Sequence, residues 1–406
     1  MFLKLTLGSL AARRLTIFLT VLSVLVSTLV VLGVEHIRLE ARNSFSKTVS
    51  GVDLIVGART GQINLLLYSV FRIGNATNNI SWQSYQDISK RPGIAWSIPM
   101  ALGDSHRGYR VMGSTSDYFR HFRYGNNQPL ELNGDAFTDF RSAPDTQPLP
   151  DFAAVLGAEV AARLGYPHGH EFTVAHGLGA TSFSVHDQHP FTVTGILAPT
   201  GTPVDQTIHI SLESLEALHQ AGPMPASVTA FLLGLESRLQ TFNLQREINN
   251  YSQEPLLAIL PGVALSELWQ LMSVAELTLS LISGLVMVSA LLGIATMLLS
   301  TLQQRQREIA VLRALGARPL FIFLLIQAEA LVMTATGMLA GIAALMAGLT
   351  LTADMISQQF GIFVSAQVLQ TGTLPYLAAI LLLTVVLATI PAARAYRQSS
   401  AMKLND

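Results

Sequence analysis

Four apolar runs constrain this chain more than any other feature. They cover residues 15–34, 277–302, 321–351 and 374–395, and each is nearly free of charge. A helix rises about 1.5 Å per residue, so roughly twenty residues cross the hydrocarbon core of a bilayer. Runs of this length predict transmembrane helices rather than the buried bundle of a soluble protein. Small residues punctuate them: Ser280, Ser283, Gly284, Ser289, Ala290 and Gly293 in the second, then Gly337, Gly341 and Gly348 in the third. Such residues three or four apart let helix backbones approach closely in lipid. Half of the 406 residues are hydrophobic and 13% are charged, which is too apolar for an ordinary soluble chain. The first run follows Lys4, Arg13 and Arg14, as a secretory signal would. It is longer than a signal core and no small-x-small site follows it, so it reads as a retained span.

Charge fixes the orientation. Lys4, Arg13 and Arg14 precede the first run; Arg305, Arg307, Arg313 and Arg318 sit between the second and third; Arg394, Arg397 and Lys403 close the chain. The short loop 352–373 has neither Lys nor Arg. The positive-inside rule then places both termini and the arginine-rich loop in the cytoplasm. The expected order is a cytoplasmic amphipathic segment (1–14), span one (15–34), a large outer domain with helical stalks (35–272), span two (277–302), a cytoplasmic loop (303–319), span three (321–351), a short outer loop (352–373), span four (374–395) and a cytoplasmic tail (396–406). The chain has no cysteine, which excludes disulfides, thiolate metal sites and cysteine nucleophiles.

The outer stretch mixes helical and strand patterns without a sustained parallel βαβ rhythm, so it predicts an α+β domain. Residues 51–57, 171–174, 182–186, 190–196, 207–210 and 228–234 read as strands. Residues 35–50, 81–89, 153–164, 212–220 and 235–251 read as helices, and 263–274 as a stalk re-entering the membrane. Residues 126–150, rich in Asn, Asp and Pro, read as a loose excursion. The apolar run 64–71 reads as a helix, either exposed to a partner or packed in the core. Residues 107–123 mix arginine with aromatics and read as a solvated face.

The loop 303–319, QQRQREIAVLRALGARP, carries the strongest local signal. Ile309, Leu312 and Leu315 recur every three residues, and Val311 and Leu315 lie four apart. The resulting helix has an apolar face and an arginine-bearing face, with Gly316 placed to stop it. Two readings stay open: insertion into a groove on a partner, or an interfacial helix held by its arginines.

The string RQREIAVLRALGAR, Arg305 to Arg318, resembles the corresponding loop of the FtsX-like ABC permeases, the group that includes MacB and the LolC/LolE pair. Gln327-Ala328-Glu329-Ala330 resembles that family's third span, and Pro391-Ala392-Ala393-Arg394-Ala395 with Ala401-Met402 resembles its terminal motif. Ser399 and Ser400 stand where many relatives have proline. The resemblance covers the whole topology of one span, a large outer domain and three spans. It implies a permease subunit in the bacterial inner membrane that transmits motion from a separate cytoplasmic ABC ATPase to its periplasmic domain. Such mechanotransmission would drive export or extraction of a periplasmic or outer-leaflet substrate. By the same resemblance Arg307, Glu308, Arg313, Ala314, Gly316 and Ala317 form the element that couples to the ATPase. A second permease subunit, in a homodimer, and a periplasmic adaptor or lipoprotein are implied partners. The alternative is a non-transporting relay that activates a periplasmic partner.

No catalytic residue is expected here. Lys4, Lys47, Lys90 and Lys403 are the only lysines, and none closes a G-x-x-x-x-G-K-[ST] loop. No cofactor is expected on the chain, and ATP with magnesium belongs on the partner. Nucleic acid is not an expected ligand outside the cell. All ten histidines fall in the outer stretch, and His168, His170, His176, His186 and His189 crowd together with Glu171 and Asp187. Imidazole with carboxylate suits zinc, and the plain alternative is a polar histidine-rich loop. Without H-E-x-x-H or an open coordination position, a membrane-anchored metalloenzyme is not supported. Asp104-Ser105-His106 are sequence neighbours, and neighbours seldom make a triad. Glu276 and Glu329 lie at or near apolar runs, and the favoured reading puts each at a membrane boundary, a gate or proton role being the alternative.

Overall fold

The computed structural model describes residues 14–48, 50–139, 151–176, 189–218, 225–304, 306–360, 365, 367–369 and 372–401. Two compact units divide it. One comprises Met1–Glu40, Ser273–Ile356 and Val364–Asp406; the other comprises Ala41–Met272 and Ser357–Phe363.

The membrane unit takes the larger part of helices α1 (Arg14–Thr48), α2 (Pro261–Gln304) and α4 (Pro319–Phe360), together with α3 (Gln306–Ala314) and α5 (Leu374–Ala401). Helices α1, α2, α4 and α5 each contain a span long and apolar enough to cross a membrane. Their core uses helical spacing. Met287, Leu291, Ile294 and Leu298 of α2 pack with Ile322, Ile326 and Met333 of α4 and with Ile380 and Ala388 of α5. Residues three and four apart share one face, which makes this seam continuous. The other faces carry exposed Leu279, Ile282, Leu285 and Leu292. Lipid tolerates such faces because every helical backbone group is satisfied internally. Ala392 and Ala395 are buried in the same core, which gives the small residues of the Pro391 motif a packing role. Glu329 is buried among the helices. It lies ten residues into α4 and is 3% exposed.

The outer unit is organised by one mixed sheet. Its main strands are β1 (Leu54–Ala58), β2 (Ile94–His106), β3 (Tyr109–Ser114), β4 (Leu132–Gly134), β5 (Ala153–Leu156), β6 (Phe191–Leu197), β7 (Thr207–Ser211), β8 (Ala230–Leu235) and β9 (Leu256–Ile259). Their order is β9-β1-β8-β2-β3-β7-β5-β6-β4, with two-residue strands at 171–172 and 175–176 pairing β6 and β2. The β3–β7 and β5–β6 pairs are parallel and the rest antiparallel.

Alternate side chains of a strand point to opposite faces, and here both faces are covered. Leu54, Val56, Phe231, Ile208 and Ile210 face one layer, with Tyr85, Leu215, Leu244 and Ile248 from the helices Trp82–Ser89, Leu212–Leu218 and Thr241–Asn249. Ile55, Met100, Met112 and Leu232 face the other, with Leu65 and Tyr68 from the 62–71 helix and Tyr118 from Asp117–His121.

Several local expectations change. Residues 153–164 are not one helix: Ala153–Leu156 form strand β5, and the helix begins at Ala158. The helix expected from Leu235 begins at Thr241, because Leu235 completes β8. The 107–123 stretch is not a solvated face. It supplies β3 and buries Tyr118 and Phe122, stacked 4.8 Å apart. Run 64–71 packs inward, its second half a π-helical turn with Tyr68 and Phe71 buried. Residues 182–186 lie outside the described residues.

Candidate functional site

The loop between α2 and α4 folds as α3 and stops at a defined turn. Ala317 N–H donates to the Leu312 carbonyl at 2.9 Å, and Gly316 N–H to the Arg313 carbonyl at 2.9 Å. This pair of bonds is a Schellman cap, which needs a left-handed residue just past the helix. Gly316 supplies it with φ of 91°. The sequence L-R-A-L-G-A is therefore a helix stop, and glycine is there because a Cβ would strain that conformation.

Arg313 reinforces the stop. Its guanidinium Nη1 donates to the Ala317 carbonyl at 3.1 Å, so it braces the turn. Glu308, in the first turn of α3, is exposed; Ala314 at its end and Gly316 beyond it are also exposed, while Ala317 is half-buried. The Arg307 side chain lies outside the described residues. Ile309 packs against the bundle core, which anchors α3 along one edge. Val311 and Leu315 point away from it, 59% and 80% exposed. The following turn extends this apolar surface. Leu312, Leu315, Ala317, Leu320, Phe321 and Leu324 line a shallow open depression. The part played by Leu320 and Phe321 was not read from sequence, since both belong to the apolar run that begins the next span. The signal was their place directly after the helix stop.

The histidines are distributed over separate contacts. His168 Nε2 donates to the Asn133 carbonyl at 3.2 Å. His170 stacks on Tyr166 at 3.9 Å, and His189 on Phe152 at 4.8 Å. His186 and the His176 side chain lie outside the described residues. Among the described residues no three His, Cys, Asp or Glu side chains are grouped so as to hold a metal ion. His106, from the Asp104-Ser105-His106 run, donates from Nδ1 to the Thr173 carbonyl at 2.6 Å, and its Nε2 accepts from the Tyr166 hydroxyl at 3.0 Å. Its partners are structural, and burial lowers its pKa. At the outer end of the membrane unit, Arg38 pairs with Glu35 at 2.6 Å and reaches Glu276 at 3.6 Å. Glu276 is thus part of an ion network between α1 and α2.

Among solved structures the chain is similar to the crystal structure of the periplasmic region of MacB from Actinobacillus actinomycetemcomitans, at 13% identity and a TM-score of 0.36, covering 54% of this chain and 94% of that one. It is also similar to the extracellular domain of the noncanonic ABC-type transporter YknZ from Gram-positive bacteria, at 12% identity and a TM-score of 0.32, covering 51% and 98%. No curated protein sequence matches it. Residues 15–251, more than half of the chain, match the model of the MacB-like periplasmic core domain, and residues 280–401 match that of the FtsX-like permease C-terminal region. With the outer domain and the last three spans matched in that order, this multi-pass inner-membrane chain belongs to the FtsX/MacB-type family of ABC transporter permeases, a transport component and not an enzyme.

Proposed function

We propose that α3 is the surface on which a nucleotide-hydrolysing partner pushes, and that the push reaches the outer domain through α2. The observation that carries this reading is the pair Val311 and Leu315, large apolar side chains left exposed on a short capped helix. An exposed apolar patch beside charged residues marks a contact surface, and helices recognised in grooves present anchors at this spacing. Arg313 and Gly316 hold the turn that aims the patch. Glu308 and Arg318, both exposed, border it with charges that steer association. Helix α2 continues unbroken from Pro261 to Gln304, and that continuity supports transmission of a displacement at its cytoplasmic end. ATP and magnesium belong to the partner in this scheme. The cargo is a molecule of the periplasm or the outer leaflet.

The test is stimulated ATPase activity of the full chain reconstituted with its ATPase. Leu315→Glu and Val311→Glu are each expected to lower stimulation at least tenfold while membrane insertion stays normal. Gly316→Val, which places a β-branched residue at positive φ and costs roughly 1–3 kcal/mol of local strain, is expected to weaken coupling without touching the apolar patch. Wild-type stimulation in both glutamate variants refutes the assignment.

A further inference from the structure

Three spans place polar side chains at one level, where the apolar runs end on the outer side. Glu35 follows directly on the first run, Glu276 directly precedes the second, and Tyr376 is the third residue of the fourth. All three, with Arg38, line one cleft of about 360 Å³ between α1, α2 and α5. Every lining residue belongs to the membrane unit. Toward the membrane interior the wall is apolar or small, from Val31, Val34 and Gly284. Leu277, Ser280 and Gly284 are exposed, so the cleft opens sideways, at the depth where lipid headgroups meet acyl chains. Its volume falls in the range of ligand sites, roughly 300–1,000 Å³.

The charges in this cleft do not cancel. Glu35 is well held. Arg38 donates to it from Nε at 3.1 Å and from Nη2 at 2.6 Å, and the Tyr376 phenol interacts with it from α5. Glu276 is held less. Its carboxylate stands 3.6 Å from Arg38 Nη1, longer than a hydrogen bond of about 2.7–3.2 Å. Among the described residues it accepts no hydrogen bond, and its side chain is 21% exposed. Two carboxylates against one guanidinium leave one negative charge on the wall. A charge at the edge of hydrocarbon is costly unless a partner meets it. Ser280, one helical turn from Glu276, lies on the same face of α2 and adds a hydroxyl.

We propose that this cleft binds the headgroup of an outer-leaflet phospholipid that carries a primary ammonium, of the ethanolamine type. The ammonium offers three N–H donors. Glu276 and Ser280 accept them, and the surplus negative charge is neutralised. The lipid phosphate takes Arg38 Nη1, the guanidinium nitrogen that Glu35 does not use. Val31, Val34 and Leu277 then meet the first carbons of the chains. A choline headgroup has no N–H to give. A glycerol headgroup brings a net negative charge to a wall that is already negative. A hydrated metal ion gains nothing from the apolar side. The site lies at the other end of α2 from α3, and its test does not involve an ATPase.

Native mass spectrometry of the full chain in detergent tests this, with phosphatidylethanolamine and phosphatidylcholine of identical acyl chains added in turn. The wild type is expected to retain the ethanolamine lipid at about tenfold lower half-saturation than the choline lipid, the scale of one charge-assisted hydrogen bond. Glu276→Gln keeps the shape and removes the charge, and is expected to retain the two lipids equally. Val34→Trp fills the apolar side of the cleft and is expected to lose retention of both. Soluble glycerophosphoethanolamine, which has the headgroup and no chains, is expected not to displace the lipid at equal concentration. Equal retention of the two lipids by the wild type overturns the proposal, as does undiminished selectivity in Glu276→Gln. Displacement by glycerophosphoethanolamine at equal concentration overturns the lipid as the source of the headgroup. Should Glu276→Gln fail to insert, selective retention in Val34→Trp equal to that of the wild type overturns it instead.

Discussion

Gly341→Leu is expected to destabilise the membrane bundle, lowering the thermal midpoint of the detergent-solubilised full chain by about 5–10 °C. At Gly341 an added Cβ would meet the Leu25 carbonyl oxygen at 2.8 Å and Thr28 Cβ at 3.0 Å. At Gly337 it would meet Val24 Cβ at 2.7 Å and the Val21 carbonyl at 3.0 Å. A backbone oxygen inside a helix cannot step aside as a flexible side-chain end can, so α1 and α4 would have to separate. Overpacking of this kind costs about 1–3 kcal/mol per site, and Gly337→Leu should behave like Gly341→Leu. Gly348 lies two turns further along α4 and has nothing within 4 Å of its virtual Cβ. Gly348→Leu is therefore the control, expected to shift the midpoint by no more than about 1 °C. Loss of the monodisperse gel-filtration peak on heating measures all three. A Gly341→Leu protein as stable as the Gly348→Leu control contradicts the close helix approach.

The three glycines also show what a sequence can and cannot tell. Small residues in an apolar run mark close packing in general, and at Gly337 and Gly341 the structure realises it. The same expectation gave no way to separate them from Gly348, Gly284 or Gly293, whose Cβ positions are open. Which face meets which helix depends on partners distant in the chain. The spans and their orientation were legible because hydropathy and arginine placement act locally. The sheet was harder to read. Strand β1 is buried along its whole length, so it shows no alternation, and its flanking glycines were the cue.

Strand β2 was missed for related reasons. It contains Pro99, Gly103 and Asp104, all poor strand residues, and its register with β3 shifts between Leu102 and Ser105. Ala153–Leu156 have helical propensity, yet they lie between β6 and β7 with every side chain buried. Tertiary context there outweighs an intrinsic preference of a few tenths of a kcal/mol per residue. At the candidate site the helix, its apolar face and its glycine stop were all in the sequence. The brace from Arg313 to Ala317 was not, because a side chain that long has many reachable partners.

The outer unit is expected to lose about 2 kcal/mol of stability between pH 7.5 and pH 5 through one residue, His209. Burial pushes its pKa down from 6.5 to about 3, and the Arg72 charge adds to the effect. In the unfolded chain the same imidazole titrates near its ordinary value. Between about pH 6.5 and pH 3 the unfolded state therefore binds the extra proton, and stability falls as pH falls through that window. His209→Phe removes the titration while keeping an aromatic ring against Tyr118 and Phe119, whose centroids lie 5.1 and 5.8 Å from it. The variant is expected to show a flatter midpoint-versus-pH curve over pH 7.5 to 5, read by tryptophan fluorescence. The difference in slope isolates His209 from the other titrating groups, which are common to both proteins. Parallel curves would mean that the imidazole reaches water or a proton in the native fold, against its complete burial beneath Phe119 and Tyr118.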